Sequence, residues 1–150
     1  MTAMVVMEMG RFLISTDRSK LDLDVIHNFL TRSYWAAGIP RATVARSIEN
    51  SLCFGVYDNS NQIGFARVIS DFATYAYLAD VFILEPYRER GLGKELIATV
   101  MAHPELQGLR RWSLGTRDAH GLYAQFGFTA LENPSRMMEI ADPEVYLRLR

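Results

Sequence analysis

This sequence predicts an α/β fold in which helices flank a mixed, mostly antiparallel central sheet, and two patterns lead there. Residues 52–84 hold three β-patterned runs joined by short connections, the mark of an antiparallel meander. Residues 110–131 then read strand, helix, strand, which adds a parallel component. A third observation sets the scale. At 150 residues, 49% hydrophobic and 22% charged, the chain suits one domain. A domain of that size buries roughly 70% of its unfolded surface and needs no staple. No repeat, linker or biased tract divides residues 1–150, so a single domain is expected.

The elements follow in the order β-α-α-β-β-β-α-β-α-β-β. A short strand is expected at residues 11–15. Asp17 or Ser19 then caps a helix over about residues 21–35, with Leu23, Ile26, Phe29 and Leu30 as its apolar face. Gly38-Ile39-Pro40 breaks it, and a shorter helix follows over residues 42–50. Residues 52–57 and 62–70 form a hairpin around Asp58-Asn59-Ser60-Asn61, and residues 75–84, rich in aromatic and β-branched side chains, form the third strand. A turn over residues 85–93 opens a helix over residues 94–102, which His103-Pro104 ends. A strand at 110–115, a helix at 118–126 and strands at 128–131 and 136–140 complete the chain.

Composition removes several classes of function. Sixteen basic against 17 acidic side chains leave a formal net charge of -1, so no nucleic-acid partner is expected to be held by the overall field. The single cysteine, Cys53, permits no intrachain disulfide and suggests no zinc site, which fits a reducing, cytoplasmic setting without metal. The stretch from Met1 to Gly10 is Met-rich and apolar but lacks the basic start and cleavage pattern of a secretory signal. No run of ~18 apolar residues occurs, so no membrane span is expected.

The most informative segment is Arg88-x-x-Gly91-x-Gly93 between a strand and a helix. Glycines remove the Cβ atoms that would hold a ligand off the backbone, and the first amides of a helix present partnerless N–H groups at its positive end. A diphosphate suits such a place, and Arg88, Arg90 and Lys94 add mobile positive charge around it. A P-loop fits less well, because Gly93-Lys94 is followed by Glu95. A dinucleotide loop would want a third glycine where Leu96 stands, which speaks against a nucleotide-dependent oxidoreductase. Two glycines alone also fit a plain tight turn with a solvated charge cluster.

A second motif lies about thirty residues on: Ala119-x-x-Leu122-Tyr123-x-x-x-Gly127-Phe128. Together the two resemble the GNAT superfamily of N-acetyltransferases. That family's acyl-CoA loop, Arg/Gln-x-x-Gly-x-Gly/Ala, is matched by Arg88, Gly91 and Gly93, and its later helix by Ala119, Leu122, Tyr123, Gly127 and Phe128. Thr116 departs from the family's usual Asn, though it can still donate and accept a hydrogen bond. The resemblance covers nearly the whole chain. Residues 51–56, 78–93 and 118–128 look like a bacterial subfamily.

The resemblance implies transfer of an acetyl group from acetyl-CoA to an amine, by direct attack in a ternary complex. It implies that backbone amides over Arg88, Glu89, Arg90, Gly91, Leu92, Gly93 and Lys94 hold the diphosphate. It also implies that main-chain groups around Phe82, Ile83 and Leu84 pair with the pantetheine arm, with Thr116 and Ala119 beside the cofactor. Tyr123 is the expected general acid, protonated at neutral pH from an ordinary value near 10; its alternative is a half-buried helix tyrosine. Asp80 interrupts an apolar strand and is either the base, directly or through water, or a structural carboxylate bonded to a neighbour such as Arg67. Glu85, at the exposed turn, is a weaker base.

Tyr34 and Trp35 either border the acceptor pocket or pack in the core. His27, His103 and His120 show no ligand spacing, and Cys53 reads as core. The expected partner is a small-molecule amine, with a peptide amine second. The C-terminal strands are available for a homodimer. An acyl-CoA-binding module without chemistry is the alternative of a different class.

Overall fold

The computed structural model describes residues 4–149; Met1, Thr2, Ala3 and Arg150, and so the first part of the Met1–Gly10 stretch, lie outside them. Among the described residues one six-stranded sheet runs in the order β1-β2-β3-β4-β5-β6. Its strands are β1 (Val6–Met9), β2 (Phe12–Ser15), β3 (Leu52–Asp58), β4 (Asn61–Ser70), β5 (Tyr75–Ile83) and β6 (Arg111–Leu114). Every neighbouring pair is antiparallel except β5 and β6, which are parallel. The helices are α1 (Leu23–Leu30), α2 (Arg41–Glu49), α3 (Leu92–Met101), α4 (His120–Ala124) and α5 (Val145–Arg148). The expected mixed, mostly antiparallel sheet flanked by helices is what forms.

Alternation along the strands builds a core on each face of the sheet. Phe54, Val56, Ile63, Val68 and Leu78 meet Leu92, Leu96, Ile97 and Val100 of α3 on one side. On the other, Cys53, Phe65 and Phe82 meet Ile26, Leu30, Val44 and Ile48 of α1 and α2. Phe29 stacks on Phe82 with ring centroids 4.0 Å apart and seats α1 over the end of β5. Gly55 makes room within the sheet, because a Cβ there would sit 2.2 Å from the Tyr57 hydroxyl.

The structure corrects several boundaries. β1 was not expected; it pairs with β2 through a two-residue turn in which Gly10 takes φ 60°. Asp17 caps only a 3-10 turn at Arg18–Lys20, whereas Asp22 caps α1 by accepting from the amides of Asp24 and Val25. α1 ends at Leu30 instead of near Trp35 because Ser33 competes with the helix. Its hydroxyl donates to the Leu30 carbonyl and accepts from the Ala36 amide. The two strands expected at residues 128–131 and 136–140 do not pair with the sheet; residues 129–144 are all exposed, with one 3-10 turn at Pro134–Arg136. No helix of the described residues is long and apolar enough to cross a membrane, and none of their His, Cys, Asp and Glu side chains cluster as a metal site.

Candidate active site

The site begins where two parallel strands part. β5 and β6 pair from Tyr75↔Arg111 to Leu78↔Leu114, and there β6 stops. β5 continues to Ile83, so residues 79–83 keep one backbone edge without a neighbouring strand. That edge can take an extended amide chain as an added strand. Phe82 and Ile83 are buried and Leu84 is half-buried, so only their main chain faces such a ligand.

Asp80 sits at the fork. The register between β4 and β5 shifts between Phe65 and Arg67, and Asp80 takes φ 55°, the geometry of a bulge. A non-glycine residue in the left-handed region costs about 1–2 kcal/mol, which its side-chain bonds offset. One carboxylate oxygen accepts from Arg67 Nε at 2.7 Å and the other from Trp35 Nε1 at 2.9 Å. Arg67 also donates to the Ser51 hydroxyl at 3.1 Å. Each Asp80 oxygen retains one further acceptor position.

Tyr34 and Trp35 follow α1 and roof the fork. Their rings lie edge to face at 5.1 Å. The Tyr34 hydroxyl accepts from the Arg117 amide at 3.0 Å, and the Arg117 guanidinium lies 3.9 Å from the Tyr34 ring centroid. The α1–α2 connection is thus tied to β5 through Trp35 and to the β6–α4 turn through Tyr34.

Tyr123 lies on α4, whose start is set by Thr116: its hydroxyl accepts from the Ala119 amide at 3.1 Å. Tyr123 is buried and lines the cleft, and its hydroxyl has no hydrogen-bond partner among the described residues. Burial, with smaller contributions from Tyr34 and Asp118, pushes its pKa up to about 12, so the phenol is a proton-bearing donor at any physiological pH. The cleft measures about 730 Å³ and brings together Tyr34, Trp35, Arg67, Asp80, Thr116 and Tyr123.

The glycine turn adjoins the end of β5. Glu89 and Gly91 take φ 64° and 76°, and Gly91 heads α3 without any side-chain cap. The amides of the first turn, Leu92, Gly93 and Lys94, are therefore open at the positive helix end. A Cβ would meet nothing within 4 Å at Gly91 and only the Ile83 side chain, at 4.0 Å, at Gly93. Leu92 is buried, so it contributes backbone alone. Arg88, Arg90 and Lys94 are exposed, and Arg88 is also tethered: its Nε donates to the Ile83 carbonyl at 2.8 Å. Arg88 thus braces the turn against β5 through Nε while its charge stays at the surface.

The fork thus gathers the sequence-predicted acid, carboxylate, aromatic pair and Thr116, and the glycine turn lies at the end of the same strand. Sequence reasoning missed Arg117, and the Ser51 hydroxyl as a partner of Arg67, because both act through contacts distant along the chain. Tyr146 of α5, also on the cleft wall, gave no signal either.

A parting parallel strand pair, an uncapped helix start and a phenol without a hydrogen-bond partner among the described residues meet around the end of β5. The chain belongs to the GNAT acetyltransferase family: residues 49–130 match the model of the acetyltransferase (GNAT) domain. A presumed acetyltransferase of Gibberella zeae is 30% identical, with 77% of each chain covered. The crystal structure of a presumed GNAT-family acetyltransferase from Xanthomonas campestris is 53% identical over 93% of this chain and 99% of that one, with a TM-score of 0.89. Glucosamine-6-phosphate N-acetyltransferase of Arabidopsis thaliana shares the fold at 12% identity, with a TM-score of 0.58 over 93% of this chain and 97% of that one.

Proposed function

We propose that this protein transfers the acetyl group of acetyl-CoA to a small-molecule primary amine, by direct attack within a ternary complex and in a reducing, cytoplasmic setting. The observation that carries this reading is the Tyr123 hydroxyl, a donor on a largely buried side chain that lines the cleft with no hydrogen-bond partner among the described residues. The bound acetyl-CoA supplies an activated carbonyl and a thiolate leaving group.

The main-chain edge at residues 81–83 aligns the pantetheine amides, and the open amides from Gly91 to Lys94 take the diphosphate. Tyr34 and Trp35 bound the acceptor, and a roofed cleft of about 730 Å³ favours a small amine over a peptide. Asp80 accepts the proton the nitrogen loses as it attacks, through its remaining acceptor positions and directly or by way of water. Glu85, exposed at the start of the turn, is the weaker claimant for that role. As the C–S bond breaks, Tyr123 donates to the sulfur. Full transfer from a phenol near 12 to a thiolate with an ordinary value near 8.5 costs about 5 kcal/mol, so Tyr123 acts mainly as a hydrogen-bond donor.

The engagement of both Asp80 oxygens favours a second reading, an acyl-CoA-binding module without chemistry. Calorimetry with acetyl-CoA beside a thiol-release assay over a panel of primary amines separates the two. Binding with amine-dependent release supports transfer; binding without release on any amine supports the module. Absence of binding overturns both.

A further inference from the structure

The transfer chemistry occupies Asp80 and Tyr123, and the cleft holds more than these two. Four further aromatic side chains, Tyr34, Trp35, Tyr77 and Tyr146, come from separate parts of the chain to its walls. Tyr34 is 49% exposed, Trp35 41% and Tyr77 36%. A single exposed ring is ordinary on a protein surface, but several in one concavity mark a surface made for a ligand. Tyr77 rises from β5 itself and reaches toward the end of β6: a Cβ on Gly115 would lie 3.5 Å from its hydroxyl. Directly opposite it on β4 stands Ile69, also exposed, and neither belongs to the core under α1 and α2. The sheet face beside the cleft is therefore bare and apolar, with a ring at its border.

Charge narrows the ligand. The walls carry two cations, Arg67 and Arg117, and two carboxylates, Asp80 and Asp118. Arg67 is committed to Asp80 and Ser51, and the Arg117 guanidinium lies over the Tyr34 ring. A sugar phosphate would require a cluster of free cations, and a polyamine a row of free carboxylates. The cleft offers neither. It offers ring surface around one carboxylate with open acceptor positions, which suits a single amino group on an uncharged, flat body.

We propose, resting on the transferase reading of this cleft, that its acceptor is an arylalkylamine: a primary amine joined by a short alkyl chain to an uncharged aromatic ring. The amine lies at Asp80, and the ring lies among Tyr34, Trp35 and Tyr77. In the transfer the nitrogen forms the C–N bond as the C–S bond breaks. The nitrogen gives up one proton and the released thiolate takes one up, so the products are an N-acetyl arylalkylamine and free coenzyme A. Tyr77 is then a specificity-determining residue, acting through the ring and not through the reacting atoms.

Thiol release from acetyl-CoA with phenethylamine, hexylamine, spermidine and glucosamine 6-phosphate tests this. The indole N–H resonances are followed as each amine is added to the full chain with coenzyme A bound. The chain has two tryptophans, and Trp112, half-buried on β6 beside Phe128, is the internal control. Phenethylamine is expected to give a kcat/KM at least tenfold above hexylamine, and to shift the Trp35 resonance but not that of Trp112. Tyr77→Ala should reduce that preference roughly tenfold. Tyr77→Leu, which keeps apolar bulk without a ring, should do the same and serves if the alanine variant does not fold. Equal turnover of the four amines, or preference for any of the other three, overturns the assignment and leaves the transferase reading standing. An aryl preference that survives both substitutions overturns it as well. A Trp35 shift with phenethylamine alone, without release on any amine, upholds the arylalkylamine as the ligand and overturns the transfer. Neither release nor shift overturns both.

Discussion

The two halves of β5 are the instructive comparison in this molecule. From Tyr75 to Leu78 the strand has neighbours on both sides, β4 and β6. From residue 79 to 83 it has one neighbour, a bulge, and a residue in the left-handed region. The buried aromatic and aliphatic side chains run through both halves, Ala76 and Leu78 in the first, Phe82 and Ile83 in the second. What differs is backbone left without a partner. Paired backbone contributes stability, and backbone freed where β6 stops is available to a substrate. The lesson is that the end of one short strand, β6, decides where the candidate site opens.

Substitutions in the two halves should therefore fail in different ways. Leu78→Ala, in the paired half, should lose roughly 2–5 kcal/mol of stability, because Leu78 is 3% exposed among the α3-facing core. Urea unfolding would show this, while thiol release per folded molecule should stay near wild type. Loss of turnover without loss of stability would break the comparison from the structural side.

Tyr123→Phe, facing the free half, should reverse the pattern: turnover falls about a hundredfold, or about 2.7 kcal/mol, with a nearly unchanged melting temperature. Its pH profile sharpens the point. A pKa raised to about 12 keeps the donor form present throughout the range below it, so the wild-type rate should show no alkaline fall with a midpoint near 10. Such a fall, measured as thiol release against pH, would mean that the phenol is not buried as described.

Asp80→Asn should lower turnover by roughly tenfold and also lower stability, since Asn tolerates the left-handed region but its single amide oxygen can accept from Trp35 or from Arg67 and not from both. Asp80→Ala should be worse on both counts, because Arg67 and Trp35 each lose a partner. The ratio of the wild-type rate to the Asn rate measures how much of Asp80's role is charge. The smallest effect is expected at Gly93→Ala: a methyl with open space around it should leave stability intact but raise KM for acetyl-CoA several-fold by obstructing the first-turn amides. An unchanged KM would move the diphosphate away from this turn.

Much of this was legible in the sequence. The meander announces itself by period-two runs and short turns, and the glycine turn and Tyr123 by motif spacing. The remainder depends on partners distant along the chain. Trp35 is 45 residues from Asp80 and nothing local says that these two meet, whereas Arg67, 13 residues away on the neighbouring strand, is a partner the sequence already suggests. The helix end at Leu30 turns on one serine hydroxyl that propensity does not weigh. The two C-terminal strand patterns are real local preferences, but pairing is a property of neighbours, and within one chain they find none.

A structure of the chain with coenzyme A bound tests the central claim most directly. The account predicts the sulfur in hydrogen-bond contact with the Tyr123 hydroxyl, pantetheine amides bonded to the β5 main chain between residues 81 and 83, and the diphosphate on the amides that open α3. A sulfur remote from Tyr123, or a pantetheine arm bound outside the fork, would contradict it.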